Sequence, residues 1–399
     1  MPRFEPFRAL RYASADLDPL IAPPYDVLSD AEVAELAARD PHNIVHVDVP
    51  TALPDQTPGD DPYARAAARL GEWVERGVLV SDKAASFTIY RMRFTDAAGV
   101  DRDISGVIGG LEVVDDGAGG VLPHERTTPK ASTDRLDLTR ATEANLSPIW
   151  GLSLARGLSE LLAVPADPVG SVTVDGVEHV VERVTDPARI AALRSHIAAD
   201  DVLIADGHHR YSISRTYRDE VRDATGRSDT PAEATLAFVS ELVQDQLSVE
   251  AIHRLYTGVL FDDLRTALED AFELRDAEPP SPTTLAEMQA TGRLLLIGPT
   301  GEAWWLDPRP SAFEGVRALD GAWLEHAIGE LPVDVSYQHG LGQVLEAIDA
   351  GRAMAAVLIR PVSVAEIEHT AREGVLMPPK STFFTPKLRT GFVIRPLTA

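Results

Sequence analysis

Residues 200–220 read DDVLIADGHHRYSISRTYRDE, and no other stretch limits the possible folds as tightly. Val202, Leu203, Ile204 and Ala205 form a short apolar run of the length of a buried strand. Asp206-Gly207 breaks the run, and a helical pattern follows from Tyr211, with Ile213 and Tyr217 four apart. A strand that turns through glycine into a helix leaves unsatisfied backbone N–H groups at the helix start. The positive end of the helix dipole lies at the same place, so the turn favours an anion. Gly207, His208, His209 and Arg210 supply that place with backbone and side-chain donors suited to phosphate.

Charge limits what the anion can belong to. The chain of 399 residues carries a net charge of −25, a field that repels nucleic acid. No basic arm accompanies it, so a nucleic-acid partner is not expected. No apolar run approaches the ~20 residues of a membrane helix. The start MPRFEPFRALRY lacks the apolar centre of a signal peptide. The expectation is a cytoplasmic protein with no membrane partner. Cysteine is absent, which excludes disulfides, thiolate nucleophiles and Cys-ligated metal.

The few lysines point to a second part of the site. Of 37 basic residues only Lys83, Lys130, Lys380 and Lys387 are lysine. Three lie in the segments TTPKAS, PPKST and TPKLR, where a compact ammonium serves differently from arginine's planar fork. From Gly374 to the last residue the tail holds no Asp or Glu, although the chain has 62. Lys380 with Ser381 and Thr382, and Lys387 further on, suit an anionic ligand such as a nucleotide. The segment 121–150 is also rich in polar chemistry. His124, Glu125, Arg126 and Lys130 lie there without the H-E-x-x-H spacing of a zincin. His253-Arg254 is a further pair able to face the anion site.

Periodicity fills in the remainder. Ser29 reads as the N-cap of a helix over 30–38, and NIVHVDV (43–49) reads as a strand. A helix over 63–77 places Trp73 in the core. FTIYRMRF (87–94) alternates as a strand, and a second strand covers 104–114. Residues 170–184 read as a hairpin turning at Asp175-Gly176, and Asp186-Pro187 starts a helix. Strands and helices interleave with many hairpins, so the fold class expected is α+β, with mixed sheets and flanking helices. Pro279–Pro282 marks a linker or a domain edge. The expected organisation is a main region over 1–278, its nucleotide-site core at about 185–260, and a C-terminal α/β region over 279–399 whose tail returns to the site.

Several segments together carry a family resemblance: FEPFRALRY (4–12), IAPPYDV (21–27), HERT (124–127), NLSPI (145–149), DGHHR (206–210) and MPPKSTFF (377–384). On these the chain resembles domain-of-unknown-function family one thousand and fifteen across nearly its whole length. DGHHR is also similar to the signature of the ParB/sulfiredoxin-like superfamily, which includes enzymes that phosphorylate free serine. The resemblance implies a ParB/sulfiredoxin-like nucleotide-binding core in which Gly207–Arg210 hold phosphates. It implies a kinase using ATP or ADP with Mg²⁺, Asp206 and His208 serving at the reaction centre and Asp206 assisting the metal. The acceptor implied is a small hydroxylated molecule, with free L-serine the superfamily's example. Asp26 and then Glu125 are the candidates for the base that activates its hydroxyl, Asp26 standing where the serine kinases use Glu. A non-catalytic nucleotide sensor and a slow nucleotide hydrolase are the other readings.

Overall fold

The run at 202–205 becomes the strand Val202–Asp206, one in from the edge of a nine-stranded mixed sheet. The computed structural model describes residues 1–53, 59, 61–96, 99–125, 132–378 and 380–398, with residues 132 and 133 described in backbone only. Along the sheet the order is Val121–Pro123, Val202–Asp206, Ile149–Ser153, Ala234–Glu241, Asp101–Glu112, Phe87–Thr95, Val177–Val184 and Asp167–Val174. Phe4–Glu5 pairs additionally with Asp101–Glu112. Val202–Asp206 runs parallel to Val121–Pro123 and antiparallel to Ile149–Ser153, which in turn is parallel to Ala234–Glu241.

The sheet's main core shows why its strands pair here. Phe4, Phe87, Ile89, Val107 and Val239 meet Leu158 and Leu162, and Leu193 and Ile197, from the helices Leu158–Ala163 and Pro187–Ile197. Each such buried side chain contributes about 1.5–3 kcal/mol relative to exposure. Phe4 and Phe87 stack with centroids 5.1 Å apart. Their rings cross Gly109, where an added Cβ would lie 2.5 Å from Phe4 and 2.7 Å from Phe87. The central strand is therefore thin at one point so that two aromatic rings can cross it.

Helix His208–Thr225 is held on two sides, which fixes its first turn. Tyr211 belongs to the main core, while Ile213 and Tyr217 join a smaller cluster with Leu136, Ala232 and Leu397. The structure starts this helix at His208, three residues before the start expected from its apolar pattern. The pattern begins only where side chains become buried, whereas the backbone turns at Gly207 with φ +88°. A second correction concerns 43–49. Instead of a strand, Val45–Asp48 is a helical turn. Asn43 sets it, donating to the Pro19 and Ile21 carbonyls and accepting from the Val45 N–H. Ser29 caps Asp30–Arg39 in a full capping box, and Trp73 is buried on Pro62–Glu75, as the sequence indicated.

The chain forms two units, residues 1–248 with 386–399, and residues 249–385. This moves the boundary from the expected 278/279 and cuts the expected 185–260 core. Ile252–Thr257 pairs with Ala355–Leu358 and Asp334–His339, so its apolar residues belong to a second sheet. Pro279–Pro282 only links strand Phe272–Ala277 to helix Thr284–Thr291 within that unit. The second sheet is antiparallel throughout, in the order Phe272–Ala277, Ala303–Pro308, Leu294–Ile297, Ala355–Leu358, Ile252–Thr257, Asp334–His339. Its alternation is visible at Leu294–Ile297: Leu294 and Leu296 enter one core, Leu295 and Ile297 the other. The expected mixed sheet with flanking helices describes the first unit, whereas the second sheet is antiparallel; twelve α-helices lie among the described residues. No described helix is long and apolar enough to cross a membrane.

Candidate functional site

The strand Val202–Asp206 delivers Asp206 to its C-terminal end, and one residue later the helix begins. Gly207 is required between them. Its left-handed φ is unfavourable for any residue with a Cβ, and an added Cβ would lie 3.0 Å from Ile149 and 3.1 Å from the Arg210 guanidinium. Asp206 then holds two cations, one on each oxygen. Lys387 Nζ donates to Oδ1 at 2.6 Å, and Arg210 Nη2 donates to Oδ2 at 2.6 Å. Burial alone would push the Asp206 carboxyl up. The Lys387 ammonium and the Arg210 guanidinium outweigh that and hold it well below the usual carboxylate range. Arg210 is anchored further by donating from Nη1 to the Pro148 carbonyl.

The histidines form the neighbouring wall. His124 is fully buried, and its Nδ1–H donates to the Ile204 carbonyl at 2.6 Å. Burial pushes its imidazole down to about 4, so it is neutral at pH 7. Its backbone N–H donates to His208 Nε2 at 3.5 Å, and the two rings sit 4.9 Å apart. His209 is half-buried in the same helical turn, and Glu125 is half-buried directly after His124. Arg126 and Lys130 lie outside the described residues.

On the other side of Arg210 a cleft of about 50 Å³ is lined by Tyr25, Asp48, Arg135, Asn145 and Ser147. Asp48 is only 3% exposed. Arg135 Nη1 lies 3.3 Å from its carboxylate, and Ser147 Oγ donates to it at 3.4 Å. Burial raises the Asp48 carboxyl, while the Arg135 and Arg210 charges draw it down; burial wins. The Arg135 guanidinium also stacks 4.3 Å over the Tyr25 ring. Asp26 follows Tyr25 in an exposed helical turn, and its charge acts on both Arg210 and Asp48.

The first unit thus brings together Asp26, His124, Asp206, Gly207, His208, His209, Arg210 and Lys387 from the residues singled out by sequence. Lys380, Ser381, Thr382, His253 and Arg254 belong to the second unit. There His253 Nδ1 accepts from the Ile359 N–H at 3.2 Å, and Arg254 donates to the Ile252 and Lys380 carbonyls. Both are buried in the sheet, and Arg254 lies 4.9 Å over the Tyr337 ring. Lys380 is exposed at a positive φ of 57°, and Ser381 Oγ donates back to the Pro378 carbonyl. Asp48 was missed, while Arg135 and Ser147 lie in the polar segment 121–150 and the NLSPI motif without having been given a role. Asp48 is concealed in what reads as an alternating strand, and its only sequence signal is an acid between two valines.

Among the described residues no three His, Asp or Glu side chains converge on a common point. Both oxygens of Asp206 already meet cations, so its surroundings do not fit a resident metal ion.

Several solved structures resemble the chain weakly. A free serine kinase in complex with AMP has a TM-score of 0.37 at 12% identity, covering 68% of this chain and 89% of its own. A conserved hypothetical protein from Pyrococcus furiosus has a TM-score of 0.39 at 12% identity, covering 69% and 92%. SbnI from Staphylococcus aureus, truncated at its C-terminus, has 0.38 at 12%, covering 72% and 87%. No curated protein matches the sequence. The family described as protein of unknown function, DUF1015, matches residues 4–322, and the chain belongs to it.

Proposed function

We propose that the protein is a nucleotide-dependent phosphotransferase acting on the hydroxyl of a small molecule, with ATP or ADP as donor. The observation that carries this reading is the Asp206 clamp. One carboxylate holds an ammonium and a guanidinium at the start of a long helix whose first N–H groups are unsatisfied by the helix itself. Phosphoryl transfer is mostly positioning and charge stabilisation, and this arrangement supplies both. In this reading Gly207 to Arg210 and Lys387 receive the phosphates, while His208, backed by neutral His124, adds a donor at the side. Asp206 acts by keeping the two cations in place. Mg²⁺ would enter with the nucleotide.

The proton of the acceptor hydroxyl needs a carboxylate. Asp26 is accessible and within the field of Arg210. Glu125 borders the histidine wall. Asp48 joins them as a third candidate, because burial raises its carboxyl toward the range useful to a general base. Free L-serine is the first acceptor to try. A second reading, a nucleotide sensor without turnover, is favoured by both oxygens of Asp206 being taken up by Lys387 and Arg210.

Purified protein with ADP or ATP, Mg²⁺ and serine or another small alcohol should form a phosphate ester detectable by phosphorus NMR. Lys387→Ala should lower turnover by ~10²–10³, the usual loss for one charge-stabilising donor. Nucleotide binding without any ester would leave the sensor. Slow release of inorganic phosphate regardless of acceptor would mark a hydrolase. Failure to bind either nucleotide would refute the proposal.

A further inference from the structure

A second pocket, of about 330 Å³, opens in the first unit on the side of Lys387 bordered by Arg389 and His179. His179 is fully buried on strand Val177–Val184. Its surroundings settle where its proton sits. The Arg389 backbone N–H donates to the Tyr90 hydroxyl at 3.3 Å, so that oxygen is already an acceptor. That oxygen could accept a second hydrogen bond, but among the described residues its proton has no acceptor other than His179 Nδ1, 2.7 Å away, which assigns the proton there. A neutral imidazole that accepts at Nδ1 carries its hydrogen at Nε2. Neutrality follows from burial, reinforced by the Arg389 charge, which pushes the ring down to about 3.

His179 Nε2–H is therefore a hydrogen-bond donor. It is sheltered from water and has no acceptor among the described residues. An unsatisfied buried donor costs about 1–3 kcal/mol, and a native fold keeps such a group only where something else compensates. The two cations beside it indicate the compensation. Lys387, whose ammonium reaches Asp206, borders this pocket too, and Arg389 lines it while donating from Nη2 to Asp175 at 2.6 Å. The lining also includes apolar Val27, Leu28 and Pro386 and two carboxylates, Asp175, which Arg389 holds, and Glu32, which Ser29 holds. Three donors beside a short apolar stretch, with the two lining carboxylates already taken up by Arg389 and Ser29, fit a small molecule with one planar anionic group.

We propose that this pocket binds the carboxylate of a small organic acid, with His179 Nε2–H, Lys387 and Arg389 as its donors. Calling that acid the phosphoryl acceptor rests on the phosphotransferase reading, since Lys387 joins this pocket to the Asp206 clamp; the carboxylate site itself does not. A carboxylate offers acceptor lone pairs to all three donors, and its primary amide replaces one oxygen by a group that donates.

The test pairs acids with their amides. L-serine and L-lactate, against L-serinamide and L-lactamide, are titrated into the full-length protein by calorimetry and by ¹⁵N NMR of the histidines, with ADP titrated in parallel. In the unliganded protein His179 should give the Nε2–H tautomer. The acids should shift its Nε2–H resonance and bind at least ten-fold tighter than the amides. His179→Phe should abolish that preference while ADP still binds. Should this variant fail to fold, the wild-type spectra decide alone. A His179 protonated at Nδ1, or equal binding of acids and amides, or no acid binding, would overturn the carboxylate site. Loss of ADP binding in wild-type protein would instead overturn the phosphotransferase reading, whatever the acids do.

Discussion

Replacing Asp206 by Asn keeps the shape of the clamp and removes its charge. Lys387 and Arg210 would then face each other, largely buried, across a neutral amide. Removing one member of a buried ion pair typically costs ~3–5 kcal/mol, and the partial exposure of Asp206, 22% for its side chain, places this case at about 3. A loss of ~3 kcal/mol lowers Tm by roughly 6–12 °C in a unit of this size. The pH dependence is more diagnostic than the size. The folded-state carboxyl lies below the ordinary value of ~3.9, so its contribution is complete above about pH 4 and is lost as pH falls through the folded value. Denaturant unfolding of wild type and Asp206→Asn should therefore give a constant difference from pH 8 to pH 5, narrowing only below about pH 4. Adding Lys387→Met to Asp206→Asn should recover part of the loss, because it removes the stranded cation. A difference under ~0.5 kcal/mol at pH 7, the range of an ordinary surface change, would refute the clamp as a buried charge cluster. A difference already closing between pH 7 and pH 5 would refute the depressed carboxyl.

Two further outcomes follow from other parts of the molecule. Gly109→Ala should destabilise the first unit by about 1–3 kcal/mol through overpacking against Phe4 and Phe87, measured by urea unfolding; an unchanged midpoint would show that the rings move aside at little cost. With a net charge of −25 the protein should show no sequence-specific DNA retention at physiological salt in a mobility-shift assay, and retention at nanomolar protein would contradict this.

The strand–glycine–helix turn was legible because it is local. Its strand, its glycine and its donors lie within ten residues, and each has a period or a conformational preference that can be read directly. Lys387 was legible for a different reason, as one of few lysines in an acid-free tail. The unit boundary was not. Ile252–Thr257 has the composition of a strand for either sheet, and only its pairing with Ala355–Leu358 and Asp334–His339 assigns it. Asp48 escaped because alternation of valines signals a strand, whereas a single asparagine, Asn43, winds the segment into a turn. His253-Arg254 misled for a related reason. Charged groups buried in a sheet by hydrogen bonds to backbone look, in sequence, the same as groups waiting for a ligand.

The return of residues 386–399 to the first unit has a consequence for synthesis. As the chain leaves the ribosome, the nine strands of the first sheet are all made before residue 249, yet Asp206 then has only Arg210 beside it. Lys387 emerges after the whole second unit, an interval on the order of ten seconds at ~5–20 residues per second. During that interval the nascent first unit lacks both its second cation and Leu397 of the smaller core. The Asp206 clamp is thus among the last parts of its unit to be completed, and a ribosome-bound chain stalled before residue 386 would hold a nearly whole sheet without its second cation.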